Sequence, residues 1–194
     1  MSERDRVRIG ATDVLAEGWG VLKRVTFDQR FKDGTWRTLS RLAYDHGDAA
    51  CVLPYDAGRG LVLLVRQFRL PIALNGHPEP VIEACAGRLD GDDAATCARK
   101  EAEEELGYRL GPLEQAFDVY MSPGADTERM VGFIAPYDHD QRIGDGGGLA
   151  HEGEDIEVLE MAFDEAYAGI ADRRIVDAKT LLLLQHLKLS GRMG

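Results

Sequence analysis

The sequence predicts an α/β fold, an α/β/α sandwich built on a mixed sheet, preceded by an N-terminal antiparallel sheet. Through most of the chain, short apolar and β-branched segments alternate with segments of helical periodicity. Strands with interposed helices pack as a layered sandwich. Near the N-terminus, two extended stretches flank Asp33-Gly34 with no helix between them, which is typical of an antiparallel hairpin. With 194 residues, the chain can form one domain with a substantial core and a small added sheet.

The strand predictions follow from turn residues between apolar runs. Strands at 21–27 and 36–44 form the N-terminal hairpin, and strands at 49–54 and 61–68 form a second hairpin around the turn at 56–60. Later strands are predicted at 115–121, 130–136 and 155–161. We therefore expect an N-terminal β region at 1–47 and a larger domain at 48–194.

The remaining elements are two helices and one long loop. Helical periodicity predicts helices at 163–170 and 177–189. The stretch 139–153 contains Gly144, Gly146, Gly147 and Gly148, so we expect a mobile loop that is long enough to suggest a function.

Composition narrows the classes of partner. The formal net charge of -11 argues against nucleic acid or an anionic membrane as a partner, because both repel an acidic protein. The longest aliphatic runs, 61–65 and 181–184, are too short to cross a bilayer, and the first residues are charged. Three cysteines without metal-ligand spacing indicate reduced thiols. We therefore expect a cytoplasmic protein.

An acidic segment is the strongest chemical signal in the chain. If Asp92 caps a helix that ends at Gly107, then Glu101, Glu104 and Glu105 lie at i, i+3 and i+4 on one face. Like charges at these spacings repel, so a cation is expected among them. Oxygen ligands favour Mg²⁺, with Mn²⁺ an alternative. The competing interpretation is a solvated acidic face next to Arg99 and Lys100.

The same segment resembles the Nudix box, a glycine followed at fixed spacing by a glutamate-rich helix and a second glycine. The matching positions are Gly87, Glu101, Ala102, Glu104, Glu105, Gly107 and Tyr108. Two positions differ, because Asp93 replaces the first glutamate and Lys100 replaces an arginine. Six residues separate Asp93 from Lys100, whereas the box pattern has seven. The shortening falls where the loop enters the helix, so we expect the carboxylate face to be intact.

The resemblance continues outside the box, where the chain is similar to the nucleoside-diphosphate-sugar branch of the Nudix hydrolases. The segments that carry it are 66–69 (Arg-Gln-Phe-Arg), 82–87, 120–124, the glycines at 146–148 and 154–158 (Glu-Asp-Ile-Glu-Val). It implies a Nudix fold and Mg²⁺-dependent hydrolysis of a sugar nucleotide, GDP-mannose before ADP-ribose or another ADP-sugar. It also implies a homodimer with crossed N-terminal sheets. A protein of the same fold that binds a nucleotide without cleaving it is the alternative from another class.

The resemblance also implies roles for single residues. Glu101, Glu105, Glu154 and the carbonyl of Ala86 would bind the metal, and Glu104 would orient a ligand or a water. Glu154 is the expected general base, with Glu152 and Glu157 as local competitors. The expected substrate contacts are Trp19, Arg41, Arg69, Ala86, Gly87, Arg88 and Glu128. Arg41 and Arg88 could equally be surface ion pairs, and Trp19 a core or rim aromatic.

Overall fold

The computed structural model describes residues 6–193, apart from the side chain of Glu152. The chain divides into two compact units. The smaller consists of the residues up to Asp48 together with Tyr120–Arg129, and the larger consists of Ala49–Val119 and the residues from Met130 onward.

The smaller unit contains three strands, β1 (Val7–Glu17), β2 (Val21–Arg30) and β3 (Trp36–Asp45). They form an antiparallel sheet in the order β1-β2-β3. In the turn between β2 and β3, the Asp33 carboxylate accepts a hydrogen bond from the Thr35 backbone N–H at 2.9 Å. The predicted N-terminal sheet and its hairpin are confirmed.

Strand β1 was missed in the sequence. It pairs with β2 along its length, but the register shifts between Ile9 and Thr12 and again between Val14 and Ala16. Each bulge reverses the face on which the following side chains lie, which removes the alternation that marks a strand in a sequence.

The larger unit is built on a mixed sheet. Its strands are β4 (Ala49–Asp56), β5 (Leu61–Gln67), β6 (Val81–Glu83), β7 (Cys85–Arg88), β8 (Glu114–Tyr120), β9 (Arg129–Pro136) and β10 (Glu157–Ala162). The order along the sheet is β10-β5-β4-β9-β8. Strand β4 runs parallel to β9 and antiparallel to β5, while β6 pairs with β5 and β7 pairs with β4.

Helices cover both faces of this sheet. They are α1 (Leu70–Leu74), α2 (Ala94–Glu101), α3 (Phe163–Ala171) and α4 (Ala178–Leu189), and α2 continues into a π-helical turn at Ala102–Leu106. Ala50 and Val52 of β4 share a buried apolar cluster with Cys97 of α2. The equally buried Cys51 and Leu53 point to the opposite face, because side chains alternate along a strand.

Helix α4 also packs against β4 and buries Leu183, Leu184 and Leu187. The predicted α/β/α sandwich is confirmed. Within the described residues, no helix combines the length and apolar character needed to span a membrane.

Candidate active site

The acidic helix begins one residue later than expected. Asp93, not Asp92, is its N-cap, and the Asp93 carboxylate accepts hydrogen bonds from the backbone N–H groups of Ala95 and Thr96 at 3.0 Å. Asp92 instead forms an ion pair with Lys100, with 2.5 Å between Oδ2 and Nζ. The aspartate that departs from the box pattern therefore starts the helix. The predicted stop at Gly107 is confirmed.

Two of the three box glutamates lie against strand β7. A Cβ atom on Gly87 would come within 1.8 Å of Glu101 Oε1, so only glycine leaves room for this carboxylate. The Ala86 backbone N–H donates to Glu105 Oε2 at 3.3 Å. Glu104, in contrast, is exposed on the π-helical turn. Glu101 and Glu105 therefore lie against adjacent residues of β7, Gly87 and Ala86.

Glu105 is a buried carboxylate in an electronegative environment. Its residue is 2% exposed. Burial raises the pKa of Glu105 to about 7, the Cys85 thiol and the Ala86 N–H act in the opposite direction, and the charges of Glu154 and Glu83 raise it further. Burying a charge is costly unless it is paired, so a bound cation would stabilise the ionised form.

The glycine-rich segment, residues 144–148, is hydrogen-bonded to the end of the box helix, which consists of α2 and its π-helical turn. The backbone N–H groups of Gly147 and Gly148 donate to the carbonyl oxygens of Glu105 and Glu104 at 2.9 and 3.2 Å. A Cβ atom on Gly146 would lie 2.3 Å from the Glu105 carbonyl oxygen, and the φ angle of Gly146 is +68°. The sequence predicted a mobile loop over 139–153, whereas this part of it is hydrogen-bonded to the helix that carries the carboxylates.

This attachment brings Glu154 towards the box glutamates. Glu154 Oε2 accepts a hydrogen bond from the Leu149 N–H at 2.8 Å, and its charge acts on Glu105. Glu157 forms an ion pair with Arg66 on the neighbouring strand, its cross-strand partner in the sheet. The side chain of Glu152 lies outside the described part of the structure.

The two predicted substrate arginines of the larger unit are oriented by carboxylates. Arg69, which precedes helix α1, donates from Nε to Glu83 Oε1 at 2.7 Å, and its side chain remains 40% exposed. Arg88 at the end of β7 forms an ion pair with Asp90, with 2.7 Å between Nη2 and Oδ1. Arg69 comes shortly after strand β5 and Arg88 ends strand β7, and both strands contact the helix that carries the box glutamates.

The other predicted substrate contacts belong to the smaller unit. Trp19 is 67% exposed and stacks on His46, with 4.7 Å between the ring centroids. His46 Nε2 lies 3.1 Å from Asp126 Oδ2, while the Glu128 backbone N–H donates to Asp126 Oδ1 at 2.8 Å. The exposed Arg41 donates to the Ser40 carbonyl oxygen at 2.9 Å. Trp19 is therefore a surface aromatic and not a core residue.

The donors around Glu105 have the chemistry of a hard-cation site. Within residues 6–193, no three Asp, Glu, His or Cys side chains are already arranged as a metal cluster. Glu101 nevertheless lies against Gly87 and Glu105 against Ala86 of β7, and the charge of Glu154 acts on Glu105. Oxygen ligands with excess negative charge fit a divalent cation, so the residues present fit the metal that the sequence pattern implies.

A buried ion-pair network beneath the site was missed in the sequence. Glu83 of β6 accepts from Arg69 and also from Lys179 of α4, with 2.5 Å between Oε2 and Nζ. Asp177 also pairs with Lys179, at 3.1 Å. The contact between Glu83 and Lys179 spans 96 positions of sequence. No local spacing rule connects residues so far apart, although a lysine among apolar residues in a predicted helix was a signal.

Comparisons with known proteins agree with this geometry. The NUDIX domain family model matches residues 45–183, and the model described as GDP-mannose pyrophosphatase NudK N-terminal domain matches residues 6–44. The chain belongs to the Nudix hydrolase family, whose members generally use divalent metal ions.

Relatives of similar length support the branch indicated by the sequence. A GDP-mannose pyrophosphatase of Cronobacter sakazakii is 48% identical over 181 residues, which cover 93% of this chain and 94% of the relative. A GDP-mannose pyrophosphatase of Pectobacterium atrosepticum is 46% identical over 179 residues, which cover 92% of each chain.

A solved structure described as an ADP compounds hydrolase has the same fold. Its TM-score is 0.71, and the match covers 96% of this chain and 97% of that chain at 18% identity. At this identity the likeness concerns the fold alone.

Proposed function

We propose that the protein is a Mg²⁺-dependent hydrolase that cleaves the diphosphate of a nucleoside diphosphate sugar, with GDP-mannose as the first candidate. The products would be GMP and mannose 1-phosphate. The observation that carries the proposal is the buried Glu105, which lies with Glu101 against β7 and next to the charge of Glu154. The relatives named GDP-mannose pyrophosphatase direct the choice of substrate.

In this proposal, Glu101, Glu105 and the Ala86 carbonyl would hold the cation, and Glu154 would be a further ligand. Bound Mg²⁺, or Mn²⁺ in its place, would neutralise the bridging phosphates and lower the pKa of the attacking water. The close approach of Glu101 to Gly87 fixes one carboxylate, and the Ala86 N–H fixes the other. The protein thus supplies a preorganised pair of oxygen donors.

Glu154 is proposed as the general base that takes the proton of the attacking water. The Leu149 N–H donates to Glu154 Oε2 and so orients this carboxylate. Glu157 is less suited, because its carboxylate is paired with Arg66. Glu104 is exposed beside the site and would orient a ligand or a water.

The residues expected to contact the substrate are proposed in the following roles. Arg69 and Arg88 would hold phosphate oxygens, because planar guanidinium groups bind them with paired hydrogen bonds. The backbone of Ala86 and Gly87 would line the same phosphate site. The exposed indole ring of Trp19 is proposed to stack on the base. Arg41 and Glu128 are proposed to contact the nucleotide or the sugar.

We further propose a cytoplasmic homodimer formed through the N-terminal region, residues 1–47, with 48–194 as the catalytic domain. Ile9, Val14 and Leu42 of the N-terminal sheet are 69%, 54% and 54% exposed. Apolar side chains of this size on one small sheet favour burial against a second copy. Trp19 and Arg41 would then lie at or near the interface.

The test is a substrate panel of GDP-mannose, ADP-ribose, ADP-glucose and UDP-glucose. Released monophosphates are detected as inorganic phosphate after phosphatase treatment, with Mg²⁺, with Mn²⁺ and with a chelator. We expect metal-dependent turnover that is fastest with GDP-mannose. Faster turnover of ADP-ribose would favour the alternative within the class. Binding without turnover of any substrate would favour a non-catalytic nucleotide-binding protein.

A further inference from the structure

An imidazole ring lies behind one of the proposed nucleotide contacts of the smaller unit, so the following inference rests on the proposed function. His46, the residue after β3, stacks on Trp19, which lies between β1 and β2. The ring centroids are 4.7 Å apart and the ring planes are 27° apart. Trp19 is nevertheless 67% exposed. Exposed side chains change rotamer within nanoseconds, so a stacking partner restricts the motion of this indole.

The His46 ring is itself buried and anchored by its edge. Its side chain is 11% exposed, and Nε2 lies 3.1 Å from Asp126 Oδ2. Because a carboxylate only accepts hydrogen bonds, Nε2 is the donor. The other ring nitrogen, Nδ1, is buried and has no hydrogen-bond partner within residues 6–193. The hydrogen bond to Asp126 therefore sets the orientation of the ring.

The segment that carries Asp126 is fixed to the end of β3. The Tyr44 N–H donates to the Ala125 carbonyl oxygen at 2.9 Å, and the Thr127 N–H donates to the Tyr44 carbonyl oxygen at 3.0 Å. The second oxygen of Asp126, Oδ1, accepts the Glu128 N–H at 2.8 Å. One carboxylate therefore binds the imidazole through one oxygen and the backbone of Glu128 through the other.

We propose that His46 and Asp126 are positioning residues that hold the Trp19 indole and Glu128 in the arrangement that receives the nucleoside diphosphate sugar. Asp126 acts on Trp19 through the imidazole and on Glu128 through a backbone N–H. A side chain that is ordered before binding loses less conformational entropy when a base stacks on it. The ordering of one side chain corresponds to about two- to tenfold in affinity.

The direct test is time-resolved fluorescence anisotropy of Trp19 in ligand-free protein. The chain has two tryptophans, so every protein carries Trp36→Phe. We expect His46→Ala and Asp126→Ala each to increase the amplitude of subnanosecond indole motion. Because Asp126 acts on Trp19 through His46, Asp126→Ala should add nothing to this motion in the His46→Ala background.

GDP binding in chelator and the KM for GDP-mannose with Mg²⁺ give the functional readout. We expect His46→Ala to weaken GDP binding and raise KM about two- to tenfold, with kcat within about threefold. In the His46→Ala background, Asp126→Ala should raise KM further through Glu128, although it leaves Trp19 motion unchanged. Asp28→Ala is the matched control, because this carboxylate accepts a cross-strand hydroxyl at 2.6 Å on the same sheet. It should match the parent protein in both readouts.

Four results would overturn the inference. They are unchanged Trp19 motion in both single variants, additive effects of the two substitutions on that motion, greater motion with unchanged GDP binding and KM, and no further rise in KM in the double variant. Should His46→Ala fail to fold by circular dichroism, His46→Gln replaces it, since glutamine retains an N–H donor but has no ring to stack. Wild-type protein without turnover would refute the proposed function, whereas unchanged Trp19 motion in an active enzyme refutes the inference alone.

Discussion

Replacing Glu105 by glutamine should stabilise the metal-free protein at high pH while it weakens metal binding. The pKa of Glu105 is raised from 4.5 to about 7 by burial. A raised pKa means that the folded state holds the proton more tightly than the unfolded state. The favourable contribution of the protonated carboxyl is therefore complete below about pH 4.5 and is lost as the pH rises through 7.

The size of the effect follows from the shift. A difference between 4.5 and about 7 corresponds to about 3 kcal/mol of folding free energy lost above pH 8. Glutamine has nearly the same volume and retains an oxygen that can accept the Ala86 N–H. We expect Glu105→Gln to be more stable than wild type by about 1–3 kcal/mol at pH 8, and nearly equal to it at pH 4.5.

The assay is urea unfolding in chelator at half-unit steps from pH 4.5 to 9, repeated with Mg²⁺. A ligand that binds only the native state stabilises it, so Mg²⁺ should stabilise wild type more than Glu105→Gln. The exposed Glu104→Gln is the matched control, and its unfolding should follow the pH dependence of wild type. Parallel pH profiles for wild type and Glu105→Gln in chelator, or equal stabilisation by Mg²⁺, would refute the reasoning.

Three further predictions concern the base, the glycine segment and the assembly. Glu154→Gln should lower kcat by roughly 10² to 10⁴ with KM within a few-fold, and if the glutamine variant at Glu152 or Glu157 loses activity instead, the base is misassigned. Gly146→Ala should destabilise the fold by about 1–3 kcal/mol and lower activity, because the added Cβ atom would collide with the end of the helix. Gly144→Ala is the control, since its added Cβ atom has open space. Equal effects of the two substitutions would contradict this prediction. Light scattering at micromolar concentration should report a dimer, and a fully active monomer would exclude one.

Local patterns in the sequence predicted the elements that have local causes. The hairpin around Asp33-Gly34, the core hairpin of β4 and β5, and the helix that ends at Gly107 depend on turn and cap residues within a few positions. The choice of Asp92 over Asp93 as the cap was wrong, because adjacent aspartates offer the same chemistry. Only the backbone geometry distinguishes them.

The parts that were missed depend on distant contacts. Strand β1 is held by pairing with β2 across two bulges, which erase its alternation. The contact between Glu83 and Lys179 forms only once β6 and α4 pack together. The sequence likewise could not predict that the glycine segment binds the helix end, because the carbonyl groups that it meets belong to the π-helical turn, and periodicity does not reveal such a turn.

The attachment of the glycine-rich segment to the box helix also determines where residues can be inserted into this loop. Its backbone is fixed from Ile143 to Gly148, and Glu154 is tied to Leu149. An insertion inside the fixed stretch would move Glu154 away from the box carboxylates. Residues 150–153 form a short turn between Leu149 and Glu154, which are already joined by a hydrogen bond. A change in loop length is therefore best placed within those four positions.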